Sequence, residues 1–411
     1  MANDPAADRL SLTIHATLDR LAGDLPRLGI ALSGGGDSTA LMHLTRRWVQ
    51  GRTLIAATVD HGLRPESAHE ARQAGAEAAG LGIPHEILPW QRDQTGGNLM
   101  AQAREARLRL LSDWAHRHDL SAVLLGHTLD DQAETLLMRL ARGAGVDGLS
   151  GMAEARQAHG MLWLRPMLQT GRKDLRGWLT QRGIGWIDDP SNENSDYERV
   201  RIRKALAALD LPPTQLAQTA ANVAMARDAL QDYAAQVAEG AEARLGSLIL
   251  PMTPFRRAPL EIRRRLLVAG LRFVSGADYP PRREAVLRAL SAAGSAGRIT
   301  LEGTIIDVHG DRLRLLREPA AACRSPSADP WDNRWIISGL AEGESVSALG
   351  HDALPDWNWR DSGLTRDEAA STPAIRLGGE IRAAPVLKSH PRITATPLRG
   401  LNEFRAMLYT H

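Results

Sequence analysis

One stretch near the start of the chain decides its fold: residues 28–42 read LGIALSGGGDSTALM. The apolar run 28–32 has the length of a strand, and a helical pattern begins at residue 39. Between them, three consecutive glycines allow a sharp turn and a close approach of the backbone to a bulky anion. A helix after such a loop presents unpaired N–H groups and the positive end of its dipole. The stretch therefore predicts a strand–loop–helix unit that binds pyrophosphate through Ser33, Gly34, Gly35, Gly36 and Ser38.

A carboxylate follows the glycines, where another type of nucleotide-binding loop has a lysine. In the G-x-x-x-x-G-K-[ST] motif that lysine contacts the β and γ phosphates, whereas this loop continues with Asp37. Mg²⁺ is usually held by one or two carboxylates together with phosphate oxygens. Asp37 is therefore a candidate magnesium ligand. The alternative is a serine–glycine turn without a ligand, and the flanking strand and helix patterns argue against it.

Composition and cysteine content narrow the class of protein. With 411 residues, 43% of them hydrophobic and 24% charged, the chain is expected to be globular with two or three domains. It contains no run of about 18 apolar residues and no apolar N-terminal segment, so we expect no membrane span, no signal peptide and a cytoplasmic location. Cys323 is the only cysteine, which excludes an internal disulfide, a multi-thiolate zinc site and a C-x-x-C redox pair.

The first half of the chain alternates between strand and helix patterns. Short apolar runs at 54–59, 85–88 and 122–125 are separated by helical stretches at 67–79 and 98–118. Such alternation predicts an α/β domain with a doubly wound parallel sheet. Ligands of these sheets bind at the carboxyl ends of the strands, so the residues that follow the strands are expected to meet at one edge.

Two residues after the second strand are candidates for contact with a nucleotide. Asp60 and His61 follow the run 54–59 directly. In a doubly wound sheet this position lies near the adenosine, so both are predicted to bind it. For His61 the alternative is a loop histidine that caps a turn.

The most specific cluster follows the fourth strand, where residues 125–135 read LGHTLDDQAET. If Thr128 caps a helix, His127, Asp131 and Glu134 share a face of that helix away from the apolar residues that pack. Acidic residues near a helix N-terminus can simply favour its dipole, but a histidine beside them points to metal binding or acid–base catalysis. With one magnesium ligand already predicted in the loop, we predict Asp131 as a second oxygen ligand, in preference to a zinc site.

The chain changes character after about residue 208. We predict three domains, at 1–208, 209–318 and 334–411. A linker-like segment at 319–333 is predicted to join the second domain to the third. The second domain is expected to be mainly helical with one strand-like piece near 298–316, and the third to be small and mixed or β-rich. The stretch 256–288 contains nine basic residues and three acidic ones. This excess of positive charge fits either a phosphate-binding surface or a solvated helix face.

The glycine loop resembles the PP-loop of the N-type ATP pyrophosphatases, and further motifs narrow the resemblance to the tRNA(Ile)-lysidine synthetase family. The resemblance covers roughly residues 25–205. Two positions depart from the family pattern, Val200 in place of an asparagine and Leu108 in place of an aromatic residue. The matching segments are 33–38, 59–64, 98–107, 127–151, 140–152 (LARGAGVDGLSGM), 165–168 (RPML) and 186–192 (WIDDPSN), followed by Tyr197, Arg199, Ile202 and Arg203.

The resemblance implies a two-step ligation that uses ATP with Mg²⁺. ATP activates the C2 carbonyl oxygen of the first anticodon cytidine of a tRNA(Ile) with a CAU anticodon, and free L-lysine then displaces AMP to form lysidine. Codon reading changes from methionine to isoleucine. The sequence leaves the oligomeric state open.

The resemblance also implies roles for individual residues. The loop, Asp60 and His61 would bind ATP, and Arg107 would stabilise the adenylate. A lysine amine is mostly protonated near neutral pH, so His127, Asp131 and Glu134 are alternative acceptors of its proton. Contacts to tRNA are predicted at Arg199, Arg203, Arg264 and Arg265, and charge reversal at the last two is predicted to weaken tRNA binding but not ATP binding.

Three other functions compete with this interpretation. A PP-loop thiolase that modifies cytidine or uridine needs cysteines that the chain lacks, and a glutamine-dependent amidotransferase needs a glutaminase nucleophile. A catalytically silent tRNA-binding homologue would not need Asp37, His127 and Asp131.

Overall fold

The chain, in a computed structural model, folds into two compact units, Met1–Met225 and Ala226–His411. The structure describes residues 5–62, 65–91, 99–188, 198–293 and 297–409. The finer domain boundaries at residues 208, 318 and 333 stay a prediction. Within the described ranges, no helix is long and apolar enough to cross a membrane.

The first unit is built from alternating strands and helices. Its strands are β1 Arg27–Ala31, β2 Thr53–Asp60, β3 His85–Pro89, β4 Ala122–Leu125, β5 Ala155–Ala158 and β6 Met161–Leu164. Its helices are α1 Pro5–Ala22, α2 Gly36–Trp48, α3 Ser67–Gly80, α4 Leu99–Arg117, α5 Leu129–Ala141, α6 Val146–Leu149, α7 Arg172–Gln181, α8 Glu198–Ala208 and α9 Pro213–Val237, the last of which continues into the second unit.

The six strands form one sheet in the order β3-β2-β1-β4-β6-β5. All neighbours are parallel except β5, which pairs antiparallel with β6. The strand order reverses direction at β1, so the crevice beyond the ends of β1 and β4 is the topological switch point at which such sheets bind ligands. The doubly wound parallel sheet predicted from the sequence is confirmed.

The central strands are apolar because helices cover both faces of the sheet. Leu28 and Ile30 of β1 and Leu124 of β4 are fully buried in one core, and Val123 in another. Gly29 is required on β1, since a Cβ there would lie 2.8 Å from the ring of Trp114. This packing on both sides explains why the strands are continuous apolar runs rather than alternating patterns.

The second unit combines helices with antiparallel sheets. Its helices are α10 Met252–Arg257, α11 Leu260–Ser275, α12 Arg283–Ala293, α13 Pro319–Cys323, α14 Arg366–Ala370 and α15 Leu401–Tyr409. Its strands are β7 Glu242–Arg244, β8 Ser247–Pro251, β9 Arg298–Leu301, β10 Thr304–His309, β11 Arg312–Arg317, β12 Trp335–Ser338, β13 Ser345–Ala348, β14 Pro373–Leu377, β15 Glu380–Ala383 and β16 Thr394–Pro397. The sheets have the orders β7-β8-β11-β10-β9, β12-β16 and β13-β14-β15.

Two segments of this unit differ from the sequence-based expectation. The strand-like piece near 298–316 is three strands, and the five-stranded sheet that they join also includes β7 and β8, which lie in and beside a region expected to be helical. The linker-like segment 319–333 contains α13 and the buried ring of Trp331. Asp332 in the same segment binds Arg317 and Arg334, with one contact of 2.6 Å to each. Buried ion pairs of this kind anchor a segment whose composition alone resembles a linker.

Candidate active site

The glycine loop leaves the first turn of α2 open to a ligand. Gly35 occupies the N-cap position, and no side chain caps the helix. The loop hydroxyls brace the turn, because Ser38 Oγ donates to the carbonyl of Gly35 (3.0 Å) and accepts from the amide of Ser33 (3.1 Å). The positive end of the α2 dipole therefore faces the switch point without a competing anion from a cap.

Two glycines make this loop geometrically possible. Gly34 has a φ of +80°, and a Cβ there would lie 2.6 Å from the Ile187 side chain, whose amide donates to the Gly34 carbonyl (2.9 Å). Gly126, after β4, lies so close to α2 that a Cβ would be 3.1 Å from the Ser38 amide nitrogen. The residues that follow β4 therefore lie directly beside the phosphate loop.

Those residues begin α5, and their cap is the predicted one. Thr128 Oγ1 accepts from the amide of Asp131, while Asp131 Oδ2 accepts from the Thr128 amide (2.7 Å) in a reciprocal capping box. The face that carries Asp131 and Glu134 is not solvent-exposed, however. The Glu134 side chain is only 2% exposed, because arginines from other elements cover it.

The main cationic residue of the site, Arg172, was not predicted from the sequence. It stands first in α7 and reaches three carboxylates: its Nε lies 3.0 Å from Asp37, its Nη2 3.1 Å from Asp131 and its Nη1 3.2 Å from Glu134. The Arg172 amide also donates to Asp130 (2.7 Å). A cation at a helix N-terminus is unfavourable because it opposes the helix dipole. An arginine at the start of a helix pattern is therefore the feature of the sequence that could have indicated a functional role.

Two arginines predicted to contact tRNA lie in the same cluster. From α8, Arg199 contacts Glu134 (2.7 Å) and Asp131 (3.2 Å), and Arg203 contacts Glu134 (2.9 Å). Together with Arg172 they place three guanidinium groups against the three carboxylates of Asp37, Asp131 and Glu134. The formal charges of this cluster therefore cancel.

His127 lies among other arginines and is neutral. Arg165 Nε donates to His127 Nδ1 (3.2 Å), and because a guanidinium cannot accept, the ring proton belongs on Nε2. Burial and the positive charges of Arg165, Arg107, Arg199 and Arg104 lower the pKa of His127 well below its ordinary value. His127 is thus a hydrogen-bond donor at Nε2.

The predicted adenosine residues lie at the end of β2. Asp60 Oδ1 accepts from the Gly62 amide (2.9 Å) and the Ser67 hydroxyl (2.7 Å) and so shapes the turn. His61 packs edge-on against Trp90, and its buried Nδ1 has no hydrogen-bond partner among the described residues. Burial and the nearby charge of Arg107 lower the pKa of His61. Parts of the family motifs, at Leu63, Arg64, Asn98 and 189–197, lie outside the described residues.

The donor set fits Mg²⁺ at one carboxylate. Asp37 Oδ1 is buried without a hydrogen-bond partner, and burial raises the pKa of Asp37 although Arg172 opposes this. Both oxygens of Asp131 are engaged, Oδ1 by arginines and Oδ2 by Thr128. In the part of the chain that the structure describes, no three His, Cys, Asp or Glu residues form a ready metal cage. A single carboxylate plus phosphate oxygens is nevertheless a usual arrangement for Mg²⁺.

A pocket of about 350 Å³ adjoins the charged cluster. Its wall combines carboxylates, guanidinium groups and apolar residues of the first unit: Asp130, Glu134, Arg172, Arg203, Leu206, Ala207, Asp210, Leu211, Pro212 and Pro213. Such a lining suits a small molecule with charges of both signs and an aliphatic stem.

In the second unit, the two arginines predicted to bind RNA are engaged within the protein. Arg264 contacts Glu261 at 2.6 Å, and Arg265 contacts the same carboxylate at 3.2 Å, with only 2% of its side chain exposed. Other arginines of the basic stretch are exposed: Arg256, Arg257, Arg282, Arg283 and Arg288.

Two comparisons relate the chain to known proteins: a domain model matches most of the first unit, and a relative matches nearly the whole chain. Residues 10–209 match the model of the PP-loop domain. A tRNA(Ile)-lysidine synthase from Ruegeria pomeroyi is 44% identical over 398 residues, which is 94% of either chain. The protein of that name from Bradyrhizobium diazoefficiens is 36% identical, and the match covers 77% of this chain and 96% of the relative. The one from Wolbachia pipientis wMel is 33% identical, and the match covers 76% of this chain and 77% of the relative. With this identity over this length, the chain belongs to the tRNA(Ile)-lysidine synthase family.

Proposed function

We propose that the protein joins lysine to the first anticodon cytidine of a tRNA(Ile) with a CAU anticodon. ATP adenylates the C2 carbonyl oxygen of that base with release of pyrophosphate, and the ε-amine of lysine then attacks C2 and displaces AMP. One proton leaves the amine, and lysidine is the product. The observation that carries the proposal is the 44% identity over 94% of the chain to a relative of this name, joined to an uncapped phosphate loop at the switch point.

For the first step, the chain supplies donors where negative charge develops. We assign the binding of phosphate oxygens to the first turn of α2, and the stabilisation of charge on the α phosphate to the Nε2–H of His127 together with Arg107. Mg²⁺, when bound at Asp37 with Asp131 nearby, would neutralise the departing pyrophosphate. We assign ATP binding to the loop 33–38 with Asp60 and His61.

For the second step, the pocket beside the cluster accommodates lysine. Its apolar wall suits the aliphatic stem, and its charged groups suit the two ends of the amino acid. The guanidinium groups of Arg172 and Arg203 disfavour a protonated amine beside them, whereas the carboxylates of the lining favour it, so the neutral amine needs a proton acceptor. Of the three proton acceptors considered, Glu134 alone lines the pocket, and His127 carries its proton on the nitrogen left free, so we assign the acceptor role to Glu134.

The RNA base must leave its stack to reach this site, as recognition of single-stranded loops requires. Arg199 and Arg203 remain candidates for contact with it, since their side chains are 36% and 39% exposed. Because Arg264 and Arg265 contact Glu261, we assign the contacts to the RNA backbone to exposed arginines of the same stretch instead, including Arg256 and Arg257. A cytoplasmic location is part of the same proposal.

Sulfur transfer is the weaker alternative. A thiolase of this superfamily needs cysteines to carry sulfur or a cluster, and the single cysteine, Cys323, belongs to the second unit. A silent RNA-binding homologue would have no need for a neutral histidine and a buried carboxylate at the phosphate loop.

The proposal is tested by incorporation of radiolabelled lysine into unmodified tRNA(Ile) with ATP and Mg²⁺. We expect label in the RNA and AMP in equal amounts, and a loss of at least about a hundredfold for Asp37→Ala, because the group acts on charge developed in the transition state. Asp24→Ala, a change of the same type at an exposed aspartate, serves as the control and should retain activity. Absence of label with the wild-type protein would refute lysidine formation, and full activity of Asp37→Ala would remove that residue from the site.

A further inference from the structure

Arg172 is the only residue among those described whose side chain contacts all three carboxylates of the active-site cluster. Its guanidinium spans Asp37 on α2 and both Asp131 and Glu134 on α5, at 3.0 to 3.2 Å. The side chain is 16% exposed, so these are largely desolvated ion pairs. It therefore links the phosphate loop to the catalytic helix through charge.

The three carboxylates depend on Arg172 to different degrees. Asp131 and Glu134 keep Arg199 if Arg172 is removed, and Glu134 also keeps Arg203. Asp37 has no other hydrogen-bonded cation in the described part of the chain, and its second oxygen is buried without a partner. Asp37 is thus the one carboxylate that a departing Arg172 would expose to another cation.

The backbone of Arg172 is fixed while its side chain has space beside it. Its amide is held by Asp130 (2.7 Å), and the preceding Thr170 carbonyl accepts from the amide of Leu129 (3.0 Å). The side chain also lines the 350 Å³ pocket, together with the carboxylates of Asp130 and Glu134. The guanidinium can therefore turn about a fixed base from Asp37 toward carboxylates that it already neighbours.

We propose that Arg172 is an exchangeable counter-ion: it neutralises Asp37 in the nucleotide-free protein and releases this carboxylate when a divalent cation arrives with ATP. Its role is that of a positioning residue, which keeps three carboxylates together without a metal and prevents the metal from binding alone. The inference rests on the proposed use of a divalent cation with ATP, and not on the identity of the acceptor.

Binding of Mn²⁺ in the absence of nucleotide and RNA tests this role, with electron paramagnetic resonance as the measure of free Mn²⁺. Wild-type protein is expected to bind Mn²⁺ weakly. Arg172→Gln should bind it about tenfold more tightly or better, since a full positive charge leaves the site. At the same saturating Mn²⁺ concentration, the Tm of Arg172→Gln should then rise by up to about 4 °C more than that of the wild type.

Two control variants separate this effect from general damage. Lys173→Gln removes an exposed cation at the next position of α7 and should keep the wild-type affinity for Mn²⁺. The double variant Arg172→Gln/Asp37→Asn should lose the gain, because the released carboxylate is gone. An Arg172→Gln protein with wild-type Mn²⁺ affinity, or an equal gain in the double variant, overturns the proposal.

If Arg172→Gln does not fold, Arg172→Met decides. Methionine removes the charge and keeps an unbranched side chain of similar length, so tighter Mn²⁺ binding than in the wild type supports the proposal and equal or weaker binding contradicts it. The outcome is independent of lysidine formation: a protein that fails to label tRNA but shows the Mn²⁺ gain refutes the proposed function alone.

Discussion

At the scale of single residues, His127 is a donor and not a base. Its Nδ1 accepts from Arg165, and burial with four neighbouring arginines holds its pKa well below the ordinary value. A histidine at a nucleotide site is often assigned as a proton acceptor because its usual pKa lies near neutrality. Here the surroundings remove that property and leave a fixed Nε2–H for an oxyanion.

The lowered pKa of His127 makes a prediction for stability against pH. In the unfolded chain this histidine takes up a proton below about pH 6.5, whereas the folded site resists it, so the unfolded state binds more protons there. Stability from His127 is therefore present above pH 6.5 and is lost as the pH falls. Between about pH 7.5 and pH 5.5 the wild type should lose about 1.4 kcal/mol more unfolding free energy than His127→Asn, which does not titrate.

Chemical denaturation of both proteins at the two pH values provides the measurement. Other titrating groups are common to wild type and variant, so they cancel in the difference. Parallel losses of stability in the two proteins would show that His127 is protonated in the folded site.

At the scale of elements, three helices build the pocket from distant parts of the chain. Helix α5 contributes Glu134, α7 contributes Arg172, and α8 contributes Arg203 and Ala207. Ion pairs between these helices hold their spacing, and the short apolar segment after α8 closes one wall. The pocket thus depends on helix positions set by charge as much as by packing.

Filling this pocket should impair lysine use selectively. Ala207 lines the pocket and is exposed, so Ala207→Trp adds an indole there without disturbing a core. We expect the KM for lysine to rise about tenfold or more while ATP–pyrophosphate exchange with tRNA stays within about twofold, as one step is blocked and the other is not. Ala208→Trp places the same residue at an exposed position outside the pocket lining and should behave as wild type. Equal effects of both variants would place lysine elsewhere.

Local patterns in the sequence predicted the elements but not their ion pairs. The glycine loop and the Thr128 cap follow from residues within a few positions of one another, and the structure has both. The pair between Arg172 and Asp37 joins residues 135 positions apart, and no short-range pattern encodes such a contact. For the same reason the pattern of α5 placed Glu134 away from the apolar residues that pack but could not reveal that arginines of α7 and α8 cover it.

At the scale of the whole molecule, the two units use positive charge differently. In the active-site cluster of the first unit, the three arginines Arg172, Arg199 and Arg203 are matched in number by the carboxylates of Asp37, Asp131 and Glu134. In the second, Arg264 and Arg265 share Glu261, but five other arginines of the stretch 256–288 are exposed. Composition identifies the basic stretch, and only the fold distinguishes the guanidinium groups that phosphates can reach.

The exposed arginines lead to a test of RNA binding that avoids damage to the fold. Replacement of Arg256, Arg257 and Arg282 by glutamine should weaken tRNA binding and make it less dependent on salt. The slope of log K against the logarithm of the salt concentration should become shallower by roughly 0.7 to 0.9 for each phosphate that the variant no longer neutralises. ATP binding should be unchanged, because the phosphate loop belongs to the first unit. The control variant replaces Arg9 and Arg72, two exposed arginines of the first unit, in the same way. Filter binding of tRNA(Ile) across a salt titration measures both slopes, and a common slope for wild type and the triple variant would exclude this surface as the tRNA-binding site.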